Sequence, residues 1–419
     1  MSHKLHDVFP TLKVYVPAVL PGKRLKDSIV GLDTLDKETL LQVSRVAGDA
    51  GQLLGHFGAN VVTLVELPAL FAPLQRSLSD LLESVQADYQ ALTVRGTEAL
   101  SEETVRWQLP EGTPELHHGY NVCDHYFRFV RVKDMKAREW LGTLAFVSLA
   151  VVEDLPHTLL NWDEEIALLA SLTEMFSWIL PEGMEAESSL QSGKPPISSE
   201  TSLPLWQSEA KNVGRTISIA YYRLLIGHHI WQHINIFARE CFEHSADEFA
   251  QGNDEEGTRW LWKATRLFRG TTASMWYASI FPLQTYQAEL RPTMVETDSI
   301  DAQQQHLTYN LLKQGIKQFK LTMEERAASN KPLHSEQTYT VLKQFHEYYV
   351  QDMEQHILVA SSKVGLDASL AQKVWQSKLP ANTRTKNAMD LLRDMAGIRR
   401  KDWQKVLSIA VAQPEMEGT

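Results

Sequence analysis

The chain has 419 residues and a formal net charge of -11 at pH 7, from 41 Lys and Arg against 52 Asp and Glu. That is long enough for two domains or one large helical one, and it lacks the general basic footprint of a nucleic-acid binder. Its two cysteines, Cys123 and Cys241, stand far apart with no C-x-x-C spacing, which argues against a disulfide framework or a zinc site and fits a reducing setting. The opening run MSHKLHDVFPTLKVYVPAVLPGKR holds no apolar stretch of signal length, and no later stretch approaches bilayer-spanning length. The expectation is a cytoplasmic protein with no membrane partner.

Amphipathic spacing predicts helices over residues 35–57, 61–92 and 163–180. Residues 120–154 read two ways: YFRFVRV alternates like a strand, whereas WLGTLAFVSLAVVED suits a buried helix or an extended run. Between 181 and 204 the composition turns to Ser, Glu, Gly and Pro, the signature of a linker or mobile loop. Four further helices are predicted over 209–247, 256–280, 300–329 and 336–364, punctuated by Pro282, Pro292 and Pro332 and followed by a shorter tail. The expected fold class is therefore mainly α. Residues 1–180 form a mostly helical N-terminal region, 181–204 a linker, and 205–419 a large helical bundle in which a cofactor pocket would lie between facing helices.

Within the helix predicted to end near residue 364, Leu342, Phe345, Tyr349, Met353, His356, Ile357 and Ala360 recur at three and four residue spacing. The lone imidazole of His356 is thereby aimed inward, while Lys343, Glu347, Gln351 and Glu354 form a solvated face. A buried imidazole needs a partner, and the residues leave three open: a hydrogen bond, a metal, or the iron of a haem.

Two other constellations stand out. The run GHHIWQHINIFARECFEH carries His229 and His233 one turn apart, and Glu240 and His244 likewise; such pairs suit a shared metal or ordinary buried hydrogen bonding. From Arg266 to Met294, small residues Gly270 to Ser274 precede Trp276, Tyr277, Phe281 and Tyr286, and Arg291 closes the run before Pro292. Small residues admit a flat ligand, aromatic rings wall it, and an arginine grips a carboxylate with two parallel hydrogen bonds; the same rings suit a plain core. No G-x-S-x-G, H-E-x-x-H, Walker or G-x-G-x-x-G element occurs in a suitable context.

The stretch FPLQTYQAELRP resembles the segment of the indoleamine 2,3-dioxygenase superfamily that ends in the arginine binding the substrate carboxylate. That superfamily includes tryptophan 2,3-dioxygenase and monodechloroaminopyrrolnitrin synthase, and the Glu-Leu-Arg-Pro neighbourhood is most similar to the last. The resemblance makes Arg291 that arginine, Tyr286 the aromatic residue before it, and His356, with Ile357 and Leu358 after it, the proximal haem ligand. Tyr221 and Tyr222 resemble the aromatics covering the substrate face, with Trp276 and Tyr277 as further wall candidates. Met353 stands where relatives place an arginine for a haem propionate, which leaves Arg266 and Arg269 as candidates for that role. What the resemblance implies is a haem b-dependent, dioxygenase-like enzyme. Its partners would be dioxygen and a small aromatic substrate, an indole or an amino-acid derivative, and the long helices suit a homodimer. A haem-binding protein without catalysis, or a non-haem metal oxidase using the His228 to His244 run, remain the rival readings.

Overall fold

The computed structural model describes residues 12–19, 22–59, 67–98, 126–188, 215–291, 307–329, 335–364 and 388–410. These residues are mainly α. In chain order they form strand β1 (Val14–Pro17), β2 (Ile29–Val30), helices α1 (Lys37–Ala59), α2 (Leu67–Ser84) and α3 (Gln86–Glu98), strands β3 (Phe129–Val132) and β4 (Met135–Lys136), then α4 (Ala137–Asp154) and α5 (Trp162–Ile179). After these come α6 (Arg215–Gln251), α7 (Asp254–Ala278), a turn at Leu283–Thr285 continuing into a π-helical turn at Tyr286–Leu290, α8 (Leu307–Ala328), α9 (Glu336–Val364) and α10 (Ala388–Ala410). No helix among the described residues is long and apolar enough to cross a membrane.

Local chemistry explains the helix starts. The Asp36 carboxylate accepts from Thr39 N and Thr39 Oγ1, each at 2.8 Å, ahead of α1. These bonds hold Asp36 below the usual carboxylate range. Asn161 caps α5 by accepting from Glu164 N at 3.2 Å, and acidic residues Asp163 and Glu164 stand in its first turn, as suits a helix N-terminus.

The ambiguous stretch before residue 154 resolves by length and flanks. FVRV is a strand pairing in parallel with β1, Val14 opposite Phe129, and the apolar run after it is α4, buried on nearly every face. A helix apolar all round must be covered on all sides; α2, α3 and β1 pack against α4, while α1 packs on α2 and α5. Residues 185–188 of the expected linker are docked on α1. Ser44 Oγ donates to the Glu185 carbonyl, Glu187 N donates to Ser44 Oγ, both at 2.9 Å, and Ser188 Oγ donates to Asp49 at 2.8 Å. Residues 189–204 lie outside the described residues.

Two compact units emerge, Met1–Ile234 with Ala273–His306, and Asn235–Thr272 with Leu307–Thr419. The first contains the strands and α1 to α5; the second contains α8, α9 and α10, with α10 packed on both α9 and α8. Helices α6 and α7 each contribute residues to both units. Within the stretch expected as a shorter tail, the described residues form a helix of 23 residues. In its unit Phe345 meets Trp403 edge-on at 4.7 Å and Phe242 at 4.8 Å, a core of interlocked rings.

Two expectations follow from this packing. A Cβ at Gly48 would overlap the Glu187 carbonyl group and lie 2.6 Å from Ser188 N. Gly48→Ala should therefore cost about 1–3 kcal/mol in denaturant unfolding by displacing the docked strap. Glu165, 4% exposed with Oε2 lacking a hydrogen-bond partner among the described residues, is pushed by burial up to about 7 from 4.5. Between those values the unfolded chain loses the proton and the folded protein keeps it, so stability should fall by roughly 3 kcal/mol as pH rises from 4.5 to 7. Glu165→Gln should flatten that slope and unfold at higher denaturant than the parent at pH 8; identical pH profiles would contradict the assignment.

Candidate functional site

His356 lies in the second unit on α9, where the predicted stripe is largely realised. Leu342, Phe345 and Met353 are fully buried, Tyr349, His356 and Ile357 are half-buried, and the side chain of Ala360 is outside the described residues. The imidazole is less deeply set than the periodicity implies, with 27% of its side-chain surface accessible. Its Nδ1 lies 3.2 Å from the main-chain carbonyl of Asp352, one turn earlier. A carbonyl only accepts, so Nδ1 carries the proton and Nε2 is the lone-pair nitrogen. Desolvation holds the ring below the usual histidine range, with the Asp352 carboxylate opposing that shift. The neutral form that results is the one that ligates metals.

Asp352 itself is 1% exposed and fully engaged. Its carboxylate accepts from Arg399 Nη1 at 2.8 Å and from Thr272 Oγ1 at 3.1 Å, and its nearer oxygen is 3.8 Å from His356 Nδ1. Burial would raise this acid, but Arg399 first, then His356, bring it below the usual carboxylate range. Arg399 also donates to the Tyr349 carbonyl at 3.1 Å and the Tyr309 hydroxyl at 2.7 Å, with its guanidinium 4.3 Å from the Tyr349 ring centroid. Arg269 in the same unit is 9% exposed and 5.9 Å from the Tyr348 ring, whereas Arg266 stacks over Trp262 at 4.4 Å.

The remaining candidates, Tyr221, Tyr222, Trp276, Tyr277, Tyr286 and Arg291, belong to the first unit. Two of the tyrosines are committed to structure. Tyr277 is fully buried and donates its hydroxyl to Asp154 at 2.9 Å, while Arg223 grips the same carboxylate with bonds of 2.7 and 3.1 Å. Tyr222 is 1% exposed and its hydroxyl reaches the Ala150 carbonyl at 3.4 Å. Gly227 permits this arrangement, because a Cβ there would come 2.5 Å from Ala278 Cβ on α7. Tyr221 is equally buried, with the Arg128 guanidinium 6.0 Å from its ring centroid, and Trp276 is half-buried.

Tyr286 and Arg291 are brought together by the π-helical turn. Arg291 N donates to the Tyr286 carbonyl, five residues back, a ring wider than that of an α-helix. Burial raises the Tyr286 hydroxyl and the nearby Arg291 charge opposes it, while Phe281 stacks on Tyr286 at 5.9 Å with the rings 12° apart. Both Tyr286 and Arg291 are half-buried, so this segment keeps surface for a ligand.

The histidine run on α6 is mostly core. His228 Nδ1 donates to the Leu224 carbonyl at 2.7 Å and its ring stacks on Phe127 at 3.8 Å; His229 Nε2 donates to the Phe127 carbonyl at 2.6 Å. Burial pushes His228 down to about 4, and His229 and His233 to about 3, so all three are neutral near pH 7. No group of three or more His, Cys, Asp or Glu able to hold a metal ion occurs among the described residues.

Three residues outside the sequence-derived set matter here. Asp352 is legible in retrospect as the residue four before His356. Arg399 is not, being 47 residues from Asp352. Arg128 carries φ of 58° just before β3, a left-handed conformation uncommon for a residue with a Cβ; the alternating YFRFVRV pattern concealed it.

A family model for SfmD 3-methyl-L-tyrosine peroxygenase matches residues 59–298, more than half of the 419 residues. The match takes in Tyr221, Tyr222, Arg266, Arg269, Trp276, Tyr277, Tyr286 and Arg291 and ends before His356. No curated protein matches the chain. Among solved structures, a crystal structure of reduced SfmD, soaked with sodium hydrosulfite, is similar at 16% identity and a TM-score of 0.42, covering 78% of this chain and 94% of that one. On the extent of the family match, the chain belongs to the SfmD 3-methyl-L-tyrosine peroxygenase family, a family of enzymes.

Proposed function

We propose that this enzyme is a haem b-dependent oxygenase acting on an aromatic amino acid, with His356 as the residue that would ligate the iron, in the histidine-ligated class that includes indoleamine and tryptophan 2,3-dioxygenases. The observation that carries this reading is the arrangement at His356. Its Nδ1 proton is committed to a main-chain carbonyl one turn earlier, its ring is neutral, and part of its surface is accessible. Ligating histidines are held in this way, one nitrogen fixed by a hydrogen bond and the other presented to the metal. The haem, when bound, supplies the oxygen-activating chemistry.

The rest of the work falls to the protein. Arg291 holds the substrate carboxylate, and the stacked Phe281 and Tyr286 beside it offer an aromatic face to the substrate. Arg266 and Arg269 are assigned to the propionates, at positions one turn apart on α7. Tyr221 and Trp276 contribute apolar wall; Tyr277, bonded to Asp154, and Tyr222, bonded to the Ala150 carbonyl, support it from behind. The family description supports a ring-substituted tyrosine as the substrate class and a peroxide as the oxidant class. An indole with dioxygen is the alternative pairing, favoured by the likeness of the FPLQTYQAELRP segment to the dioxygenases.

Reconstitution with haem b should give a Soret band that His356→Ala abolishes or displaces; a protein that takes up no haem, or whose band ignores that substitution, contradicts the reading. Arg291→Ala should weaken binding of an amino acid such as L-tyrosine about 10-fold to 100-fold, as loss of a charge-assisted hydrogen bond does, with the Soret band intact. Product formation from L-tyrosine or its 3-methyl derivative with hydrogen peroxide, against L-tryptophan with dioxygen, separates the two chemistries.

A further inference from the structure

His356 Nδ1–H has two acceptors within one helical turn, both belonging to Asp352: the main-chain carbonyl at 3.2 Å and a carboxylate oxygen at 3.8 Å. Which of them takes the proton governs how strongly the imidazole donates electrons to a metal. A neutral carbonyl leaves an ordinary imidazole, whereas a carboxylate draws the ring toward imidazolate, a stronger donor that would favour the ferric over the ferrous state of a haem held there.

The structure shows the carboxylate restrained. Arg399 Nη1 takes one oxygen at 2.8 Å. Thr272 Oγ1 takes the other, the one nearer the imidazole, at 3.1 Å. Arg399 is in turn fixed by three further contacts: the Tyr349 carbonyl, the Tyr309 hydroxyl and the face of the Tyr349 ring. It is 7% exposed, so its charge is little screened by solvent.

We propose that Arg399, with Thr272, is a positioning residue that sets the donor strength of His356 by holding the Asp352 carboxylate away from Nδ1–H. This rests on the reading of His356 as the iron ligand. The C-terminal helix α10 thereby acts on the iron without touching it. Among the described residues, Asp352 is met from three helices: α7 through Thr272, α9 through His356, and α10 through Arg399.

The test is the iron–histidine stretching band of the ferrous haem protein, read by resonance Raman, together with the haem reduction potential. Thr272→Val frees the nearer carboxylate oxygen while keeping the buried ion pair, so it should raise the band and lower the potential. Arg399→Met should do the same more strongly, Arg399→Lys less. Because Arg399→Met leaves a buried carboxylate unpaired and threatens folding, the double variant Asp352→Asn, Arg399→Met provides the control, and should return both readings toward the parent. If the Soret band depends on His356 yet band and potential are unmoved in Thr272→Val and in the folded Arg399 variants, the inference is overturned and the ligand reading stands. If His356→Ala leaves the Soret band unaltered, both fall.

Discussion

Burying a carboxylate beside a histidine imposes a condition that the second unit is arranged to meet. An ionised Asp352 at 1% exposure is tolerable only if every oxygen is bonded and a cation is at hand. Arg399 supplies the cation and Thr272 the second bond. Because Arg399 also reaches Tyr309 and the Tyr349 carbonyl, one guanidinium ties α8, α9 and α10 together. The apolar rings around Trp403 hold the same helices. Hydrophobic burial brings these helices into contact without choosing a register; the charge pair, which works only in one geometry, does choose. His356, one turn beyond Asp352, inherits that register.

The first unit solves the same problem with different residues. Asp154, at the end of α4, is fully buried and is met by both arms of Arg223 and by the Tyr277 hydroxyl. Burial and the adjacent carboxylate hold that hydroxyl well above the ordinary tyrosine range, so it stays a donor. An aromatic residue that reads as pocket wall in the sequence is thus half of a polar lock. The segment that keeps accessible aromatic surface next to an arginine is the π-helical turn around Tyr286 and Arg291, where the wider backbone ring brings residues five apart into proximity.

Much of the fold was legible before any coordinates. Helical periodicity located α1, α5, α6, α7, α8 and α9 to within a few residues at most ends, because an amphipathic helix must present its apolar side chains at regular spacing. One long predicted helix, over 61–92, instead contains two, α2 and α3, whose shared periodicity hides the break at Val85. The helix α10 lies in the stretch expected only as a shorter tail, because its 23 residues are polar on average, although their apolar side chains gather on one face. The docking of residues 185–188 onto α1 was equally invisible: Ser and Glu look solvated in a sequence, and only the partner Ser44 and the gap at Gly48 make them structural.

What the sequence by itself determined is a mainly helical chain, the inward aim of the α9 stripe, and the order of arginine and histidine along it. These are consequences of local spacing, which each residue expresses wherever the helix goes. Only the tertiary structure decided that His356 is half-buried and that a guanidinium from α10 and a hydroxyl from α7 restrain the carboxylate beside it. Such features depend on bonds between residues 47 and 80 positions apart, and hydrogen bonds of a buried charge are set by which helices meet, a property no local pattern carries.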